Sequence, residues 1–154
     1  MSKRRIGVRA IIYKDGKILA VKHKSKDTGA PKDWWAIPGG GLDPGESLED
    51  GLRREIHEEL GIAVTPGRLL FIQQFQSTRA DCDEELEFFF LVESADDFAS
   101  IDLLSTSHGI SELAVCEFID PTKESVKPAF IGEVNIKGYT ETIQPVLVAN
   151  RLVE

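Results

Sequence analysis

Glu55, Glu58 and Glu59 stand at i, i+3 and i+4 in a segment with helical patterning, which places three carboxylates within roughly 100° of arc on one face. Like charges at that spacing repel by roughly a few tenths of a kcal/mol each when exposed, and by more when partly buried. Two readings follow. One is a solvated helix with surplus glutamates; the other is an oxygen-ligand site for a hard divalent cation, which keeps waters and phosphate oxygens in its shell. A second stretch bears on phosphate chemistry. Read from Gly40, GGGLDPGES (Gly39 to Ser47) is G-x-x-x-x-G-E-S, where a phosphate-cradling Walker A loop is G-x-x-x-x-G-K-[ST]. Glu46 takes the place of the phosphate-binding lysine, so any positive charge must come from elsewhere.

The surrounding pattern tells which elements position these groups. Leu48, Leu52, Ile56 and Leu60 recur at four-residue intervals from Ser47 to Leu60, one apolar ridge of a helix, and Gly61 stops it in the C′ position glycine favours. The carboxylates occupy the neighbouring arc, at the edge of a core. Upstream, Arg5 to Tyr13 and Lys17 to His23 flank a D-G turn signal and read as a hairpin. Ser25 to Asp33 reads as a loop, Trp34 to Ile37 as a short strand ending at Pro38, and the glycine-rich stretch as a further loop. Downstream, Arg68 to Gln76, Leu86 to Glu93 and Glu112 to Ile119 read as strands, Asp97 to Ser107 is ambiguous, and Ile143 to Leu152 resembles a closing helix. The run Phe88-Phe89-Phe90 suits a central strand buried on both faces. Strands outnumber helices without βαβ alternation, which predicts a mixed sheet with helices packed against it.

A chain of 154 residues fits one domain, spanning 1–154. Its 42% hydrophobic and 29% charged composition argues against disorder and against a membrane class. No apolar run approaches the roughly 20 residues that cross a bilayer, and MSKRRIGVRAIIY is charged too quickly for a signal peptide, so a cytoplasmic protein is expected. Cys82 and Cys116 lack metal or redox spacing, and Cys116 reads as core. A net charge of −8 repels nucleic acid, so no duplex partner is expected, whereas a cation can bridge an acidic protein to a phosphorylated small molecule.

Gly40, five residues, Glu46, seven residues, then Arg54-Glu55-Ile56-His57-Glu58-Glu59-Leu60-Gly61-Ile62 reproduces G-x5-E-x7-R-E-U-x-E-E-x-G-U, U aliphatic, at every defined position. Seven fixed identities and two aliphatics would arise by chance with probability on the order of 10⁻⁷. On this box and its lead-in Trp35-Ala36-Ile37-Pro38-Gly39-Gly40, the chain resembles the Nudix hydrolases. The resemblance implies an α/β (α+β) fold, an α/β/α sandwich around a mixed β-sheet, and Mg²⁺-dependent hydrolysis, with Mn²⁺ as a substitute, of a nucleoside diphosphate linked to another moiety. It implies Glu55, Glu58 and Glu59 as metal-coordinating and catalytic carboxylates, the Gly40 carbonyl as a main-chain ligand, and Glu46–Arg54 as a structural ion pair. It also makes a homodimer a common outcome. On this reading the metal supplies the charge that the loop lacks.

The proton-accepting base stays open between Glu58 or Glu59 and a glutamate outside the box, with Glu84, Glu85, Glu87 and Glu112 available. His57 faces away from the carboxylates. Of the tryptophan pair, Trp35 is expected to pack and Trp34 to offer a stacking face for a nucleobase. Lys22, Lys24, Lys32, Arg5 and Arg79 are candidates for substrate phosphates, with Trp34, Lys22, Arg79 and Glu87 the substrate-binding set. Nucleoside triphosphates, nucleotide sugars and ADP-ribose are all compatible, because specificity lies outside the box. Two rivals are a nucleotide-sensing module of the same fold that does not cut, against which the intact carboxylate set counts, and an isomerase of prenyl diphosphates, whose metal site needs His and Glu ligands from elsewhere.

Overall fold

The computed structural model describes residues 3–93, 98 and 101–152. Among these the elements follow in the order β1 (Arg4–Ile11), β2 (Tyr13–Lys14), β3 (Lys17–His23), β4 (Trp35–Ala36), β5 (Gly39–Gly41), α1 (Leu48–Leu60), β6 (Thr65–Gln76), β7 (Glu84–Glu93), α2 (Gly109–Glu112), β8 (Leu113–Ile119), β9 (Val126–Lys127), α3 (Ile136–Glu141) and β10 (Leu147–Arg151). One mixed sheet has the order β10-β6-β7-β1-β5; the other joins β2-β3-β4-β9, with β8 on β3. This is the mixed α+β class expected.

Period-2 alternation sorts side chains to two cores on opposite sheet faces. Val8, Ala10 and Phe90 meet Leu52, Ile56 and Leu60 of α1. Ile11, Phe71 and Phe89 meet Phe130, Ile131 and Ile136, from the 3₁₀ turn Ala129–Gly132 and α3. The sheet is therefore sandwiched between helical layers. Its middle strand is β7, which buries Phe89 against one layer and Phe90 against the other, as the aromatic run predicts. No helix among the described residues is long and apolar enough to cross a membrane.

Three expectations need correction. The D-G turn forms, with Asp15 and Gly16 both at positive φ (50° and 82°), but only Tyr13 and Lys14 pair across it. β1 belongs to the other sheet, between β7 and β5, because Val8 and Ala10 must bury one face while Ile11 buries the other. The glycine stretch is not a loop: Gly39–Gly41 pairs antiparallel with Gly7–Arg9. Ile143 to Leu152 contains no helix; Leu147–Arg151 is a strand parallel to Phe71–Phe75. Its half-buried and exposed residues alternate, and Pro145 disfavours helical backbone at Gln144 just before it. Of Asp97 to Ser107, residues 97, 99 and 100 lie outside those described, and Leu103–Ser105 forms a 3₁₀ turn.

Candidate active site

Helix α1 carries the acidic face, and both its ends are fixed by local chemistry. The Ser47 hydroxyl accepts from the Asp50 N–H at 3.1 Å. Gly61, at φ 70°, closes the helix with its N–H on the His57 carbonyl. Capping of this kind contributes about 1 kcal/mol. The last turn is also held from outside, since the Thr106 hydroxyl donates to the Glu59 carbonyl (2.9 Å) and the His108 N–H to the Glu58 carbonyl (3.0 Å). Carbonyls that a helix leaves unpaired are thus satisfied by the segment leading into α2.

Glu55 and Glu59 reach a cleft past the edge strand β5, and its glycines make that passage. A Cβ on Gly40 would sit 2.4 Å from the Glu55 carboxyl, and one on Gly41 would sit 2.8 Å from Arg5 Nη2, on the alternate face. Gly39, at φ 142°, would place a Cβ 2.0 Å from the Val8 carbonyl oxygen. Its N–H donates to Glu59 Oε2 at 3.1 Å, so strand and helix are joined by the acid itself. Alanine at Gly40 should leave the fold standing, because the Glu55 side chain can swing, but should move that carboxylate. We expect Gly40→Ala to weaken Mg²⁺ binding roughly 10- to 100-fold with an unchanged circular dichroism spectrum; calorimetric titration checks it.

Arg54 organises the acids. Its Nε and Nη2 make a bidentate pair with Glu46 (2.8 and 2.9 Å), Nη2 also donates to the Gly41 carbonyl (2.9 Å), and Nη1 reaches Glu55 Oε1 (3.0 Å) and Glu58 Oε2 (3.2 Å). The anion in the place of the Walker lysine is therefore the partner of this arginine. The hydrogen bonds from Arg54, then from the Asp43 N–H, hold the Glu46 carboxyl at about 2, against an ordinary 4.5. A depressed pKa gives stability that is present above the ordinary value and lost as pH falls through the folded one. The stability difference between the wild type and Glu46→Gln should thus be full at neutral pH and shrink as pH drops from about 4.5 toward 2; urea melts along that range measure it.

Among the described residues Glu59 is the deepest acid, 3% exposed. Burial pushes its carboxyl up to about 8, against the pull of Arg9 and the Gly39 N–H. A divalent cation alongside reverses such a preference for the proton. Glu55 Oε, Glu58 Oε and a ring nitrogen of His108 lie within 4.8 Å of one another, a donor set able to hold a cation. With Gly40 packed on Glu55, the residues present fit a divalent metal.

The cleft, about 1540 Å³, is lined by Gly39 to Gly41, Glu55, Glu59, Arg5, Arg9, Gln73, Glu85, Glu87, Trp34, Lys24, Lys32, Arg79, Lys127, His108 and Glu112, among others. Arg5 pairs with Glu85 (2.9 Å) and Arg9 with Glu87 (2.7 Å), rungs across the floor. Arg79 Nε stands 3.4 Å from Glu85. Trp34 is half-buried at the rim, with Lys32 and Lys127 ammonium groups 5.0 and 4.5 Å from its ring, while Trp35 is buried. Lys22 lies instead over the Trp35 ring, outside the cleft lining. His57 is exposed, and Glu58 faces a second, smaller cavity with Arg53, Arg54 and His57. Cys116 packs beside the α1 core, its thiol pushed up to about 12 by burial and then by Glu59.

Sequence reasoning missed Arg9, Gln73, Lys127 and His108. A signal existed for the first: Arg5, Gly7 and Arg9 alternate with Ile6, Val8 and Ala10, which marks a strand with one polar face.

Fold and site together define an α+β domain that brings a carboxylate-bearing helix to a cleft edged with cations. The NUDIX domain model matches residues 3–131. Over 51 residues the chain is 51% identical to the nucleoside triphosphatase NudI of Escherichia fergusonii, covering 33% of this chain and 36% of that protein. The matched segment thus spans about a third of such curated relatives. The solution structure of the E. coli ORF135 protein matches with a TM-score of 0.68 at 22% identity, covering 94% of this chain and 96% of that one. The MutT protein from Methanosarcina mazei Go1 matches at 0.64 and 25%, covering 91% and 92%. The chain belongs to the Nudix family.

Proposed function

We propose that this chain hydrolyses a phosphoanhydride bond in a nucleoside diphosphate linked to another moiety, with nucleoside triphosphates as the first substrates to test. The observation that carries the reading is the approach of Glu55 and Glu58 to one another beside the side-chain-free Gly40, at the edge of a cleft large enough for a nucleotide. Glu55, Glu58, Glu59 and the Gly40 carbonyl would hold Mg²⁺, or Mn²⁺ in its place. When bound, such a cation lowers the pKa of its water and neutralises phosphoryl charge.

The chain's own groups do the rest. Arg54 holds Glu55 and Glu58 in register and offsets part of their repulsion. Lys24, Lys32 and Lys127 offer ammonium groups to phosphates along the cleft, and Trp34 offers a ring face to a base. A carboxylate accepts the proton of the attacking water. Of the acids outside the box, Glu84 is paired with Arg4, Glu85 with Arg5, and Glu87 with Arg9, whereas Glu112 is exposed, lines the cleft and makes no ion pair among the described residues. We assign it the base. On this reading residues 1–154 act as one domain in the cytoplasm, where magnesium nucleotides are held.

The test is a panel of nucleoside triphosphates, nucleotide sugars and ADP-ribose with Mg²⁺ or Mn²⁺, with and without EDTA, products read by mass spectrometry in H₂¹⁸O. Cleavage that stops with EDTA and puts ¹⁸O on one phosphoryl product is expected. Nucleotide binding without cleavage would point to the sensing module. Isomerisation of a prenyl diphosphate with phosphate retained would point to the isomerase.

A further inference from the structure

We propose that His108 is a nitrogen ligand of the metal held by Glu55 and Glu58, and that it shifts the site from a purely oxygen set toward transition metals. The inference rests on the metal reading above and adds to it a donor outside the box. The ring nitrogen of His108 lies within 4.8 Å of donor oxygens on both Glu55 and Glu58. Its Nδ1 is 3.4 Å from Glu58 Oε2. Two donors sharing a cation at bonds of about 2.0–2.2 Å stand at most roughly 4.4 Å apart. The group is therefore within a few tenths of an ångström of closing on an ion.

Its position is fixed. The His108 N–H donates to the Glu58 carbonyl, the Ser107 hydroxyl also reaches that carbonyl at 3.4 Å, and Thr106 bridges the Glu59 carbonyl (2.9 Å) and the Gly109 N–H (2.9 Å). Four consecutive residues thus tie the histidine to the last turn of α1, the turn that presents the acids. Gly109 has no room for a side chain: a Cβ there would sit 2.0 Å from Thr106 Oγ1 and 3.0 Å from the Glu59 carbonyl oxygen. Of the other two histidines, His57 is exposed and His23 lines the cleft, and neither is part of the donor group.

Carboxylate and water ligands suit Mg²⁺ and Mn²⁺, whereas an imidazole adds most for ions such as Co²⁺ and Ni²⁺. Removing His108 should accordingly cost the two kinds of metal unequally. The experiment titrates the full chain with Co²⁺ and, separately, with Mg²⁺ by calorimetry, and records the visible absorption of the Co²⁺ form. His108→Ala is expected to lose roughly 10- to 100-fold in Co²⁺ affinity, to shift the Co²⁺ bands, and to lose less than about threefold for Mg²⁺. His108→Gln, which can still hydrogen-bond Glu58, should behave like alanine.

Wild-type Co²⁺ affinity and bands in both variants would overturn the proposal, as would full recovery in the glutamine variant, which would make His108 a hydrogen-bonding support of Glu58. Glu58→Gln separates the two levels of argument. If it loses both metals while the His108 variants keep Co²⁺, only the ligand role falls; if it keeps both metals, the metal reading falls and the ligand role with it.

Discussion

Glu58→Gln should lower kcat for the best nucleotide substrate by about 10³-fold, some 4 kcal/mol of transition-state stabilisation at 1.36 kcal/mol per decade, while leaving a folded protein. Glutamine keeps the volume of the side chain and removes its charge. In the folded protein Glu58 Oε2 is 3.2 Å from Arg54 Nη1 and 3.4 Å from His108 Nδ1, so it accepts from one cation and faces an imidazole nitrogen. On the proposed metal reading the change removes one anionic ligand of the divalent ion, and it withdraws the negative charge that Arg54 meets. The effect on stability should be small, within about 1 kcal/mol, because the lost ion pair with Arg54 is half-exposed and the lost repulsion from Glu55 offsets part of it. Thermal melts without metal, beside turnover across a Mg²⁺ series, give both numbers. Unchanged kcat at every Mg²⁺ concentration removes Glu58 from the chemistry; equal falls in stability and turnover assign it to the fold.

What could be read from the sequence was whatever depends on near neighbours in the chain. The α1 boundaries are written in Ser47, Gly61 and a four-residue apolar repeat, and they are the observed caps. The box fixes one helix, so Glu55, Glu58 and the Glu46–Arg54 pair arise from a segment of about two dozen residues, whereas the glycines ahead of it read as a loop and form β5. The misses are all long-range. Nothing local tells Arg4–Ile11 to leave its apparent hairpin partner and run parallel to Glu84–Leu91, some 80 positions away. His108 meets the acids only because residues 106–109 cap α1 from a distant part of the chain. The last strand reads as a helix because Ile143, Val146 and Leu147 stand at i, i+3 and i+4, while what decides is an open β6 edge that the sequence does not display.

Arg9→Met should destabilise the fold by about 3–5 kcal/mol, the largest stability effect expected of any single change at the site. Arg9 donates from Nε (3.0 Å) and Nη2 (2.7 Å) to Glu87 Oε1, and from Nη1 to the carbonyls of Ile37 and Gly39, both at 3.2 Å. Burial pulls its pKa down, yet the charge and hydrogen bonds of Glu87 carry it above the ordinary value. Methionine fills most of the space and leaves the Glu87 carboxylate, 4% exposed, without its counter-charge. The penalty is that stranded charge, more than the lost attraction. A second change therefore discriminates: Arg9→Met combined with Glu87→Met leaves no orphan ion and should recover at least half of the loss. Urea melts of the four proteins close the double-mutant cycle, and a cost below about 1 kcal/mol for Arg9→Met would show that the pair is not a support of the fold. Turnover should behave differently. Gly39 offers its carbonyl to Arg9 and its N–H to Glu59, so without the guanidinium the glycine strand loses the tie that sets it against α1. A double variant that regains stability but not metal binding would mean that the sheet-floor ion pair serves the carboxylate site through β5; recovery of both would confine Arg9 to neutralising Glu87.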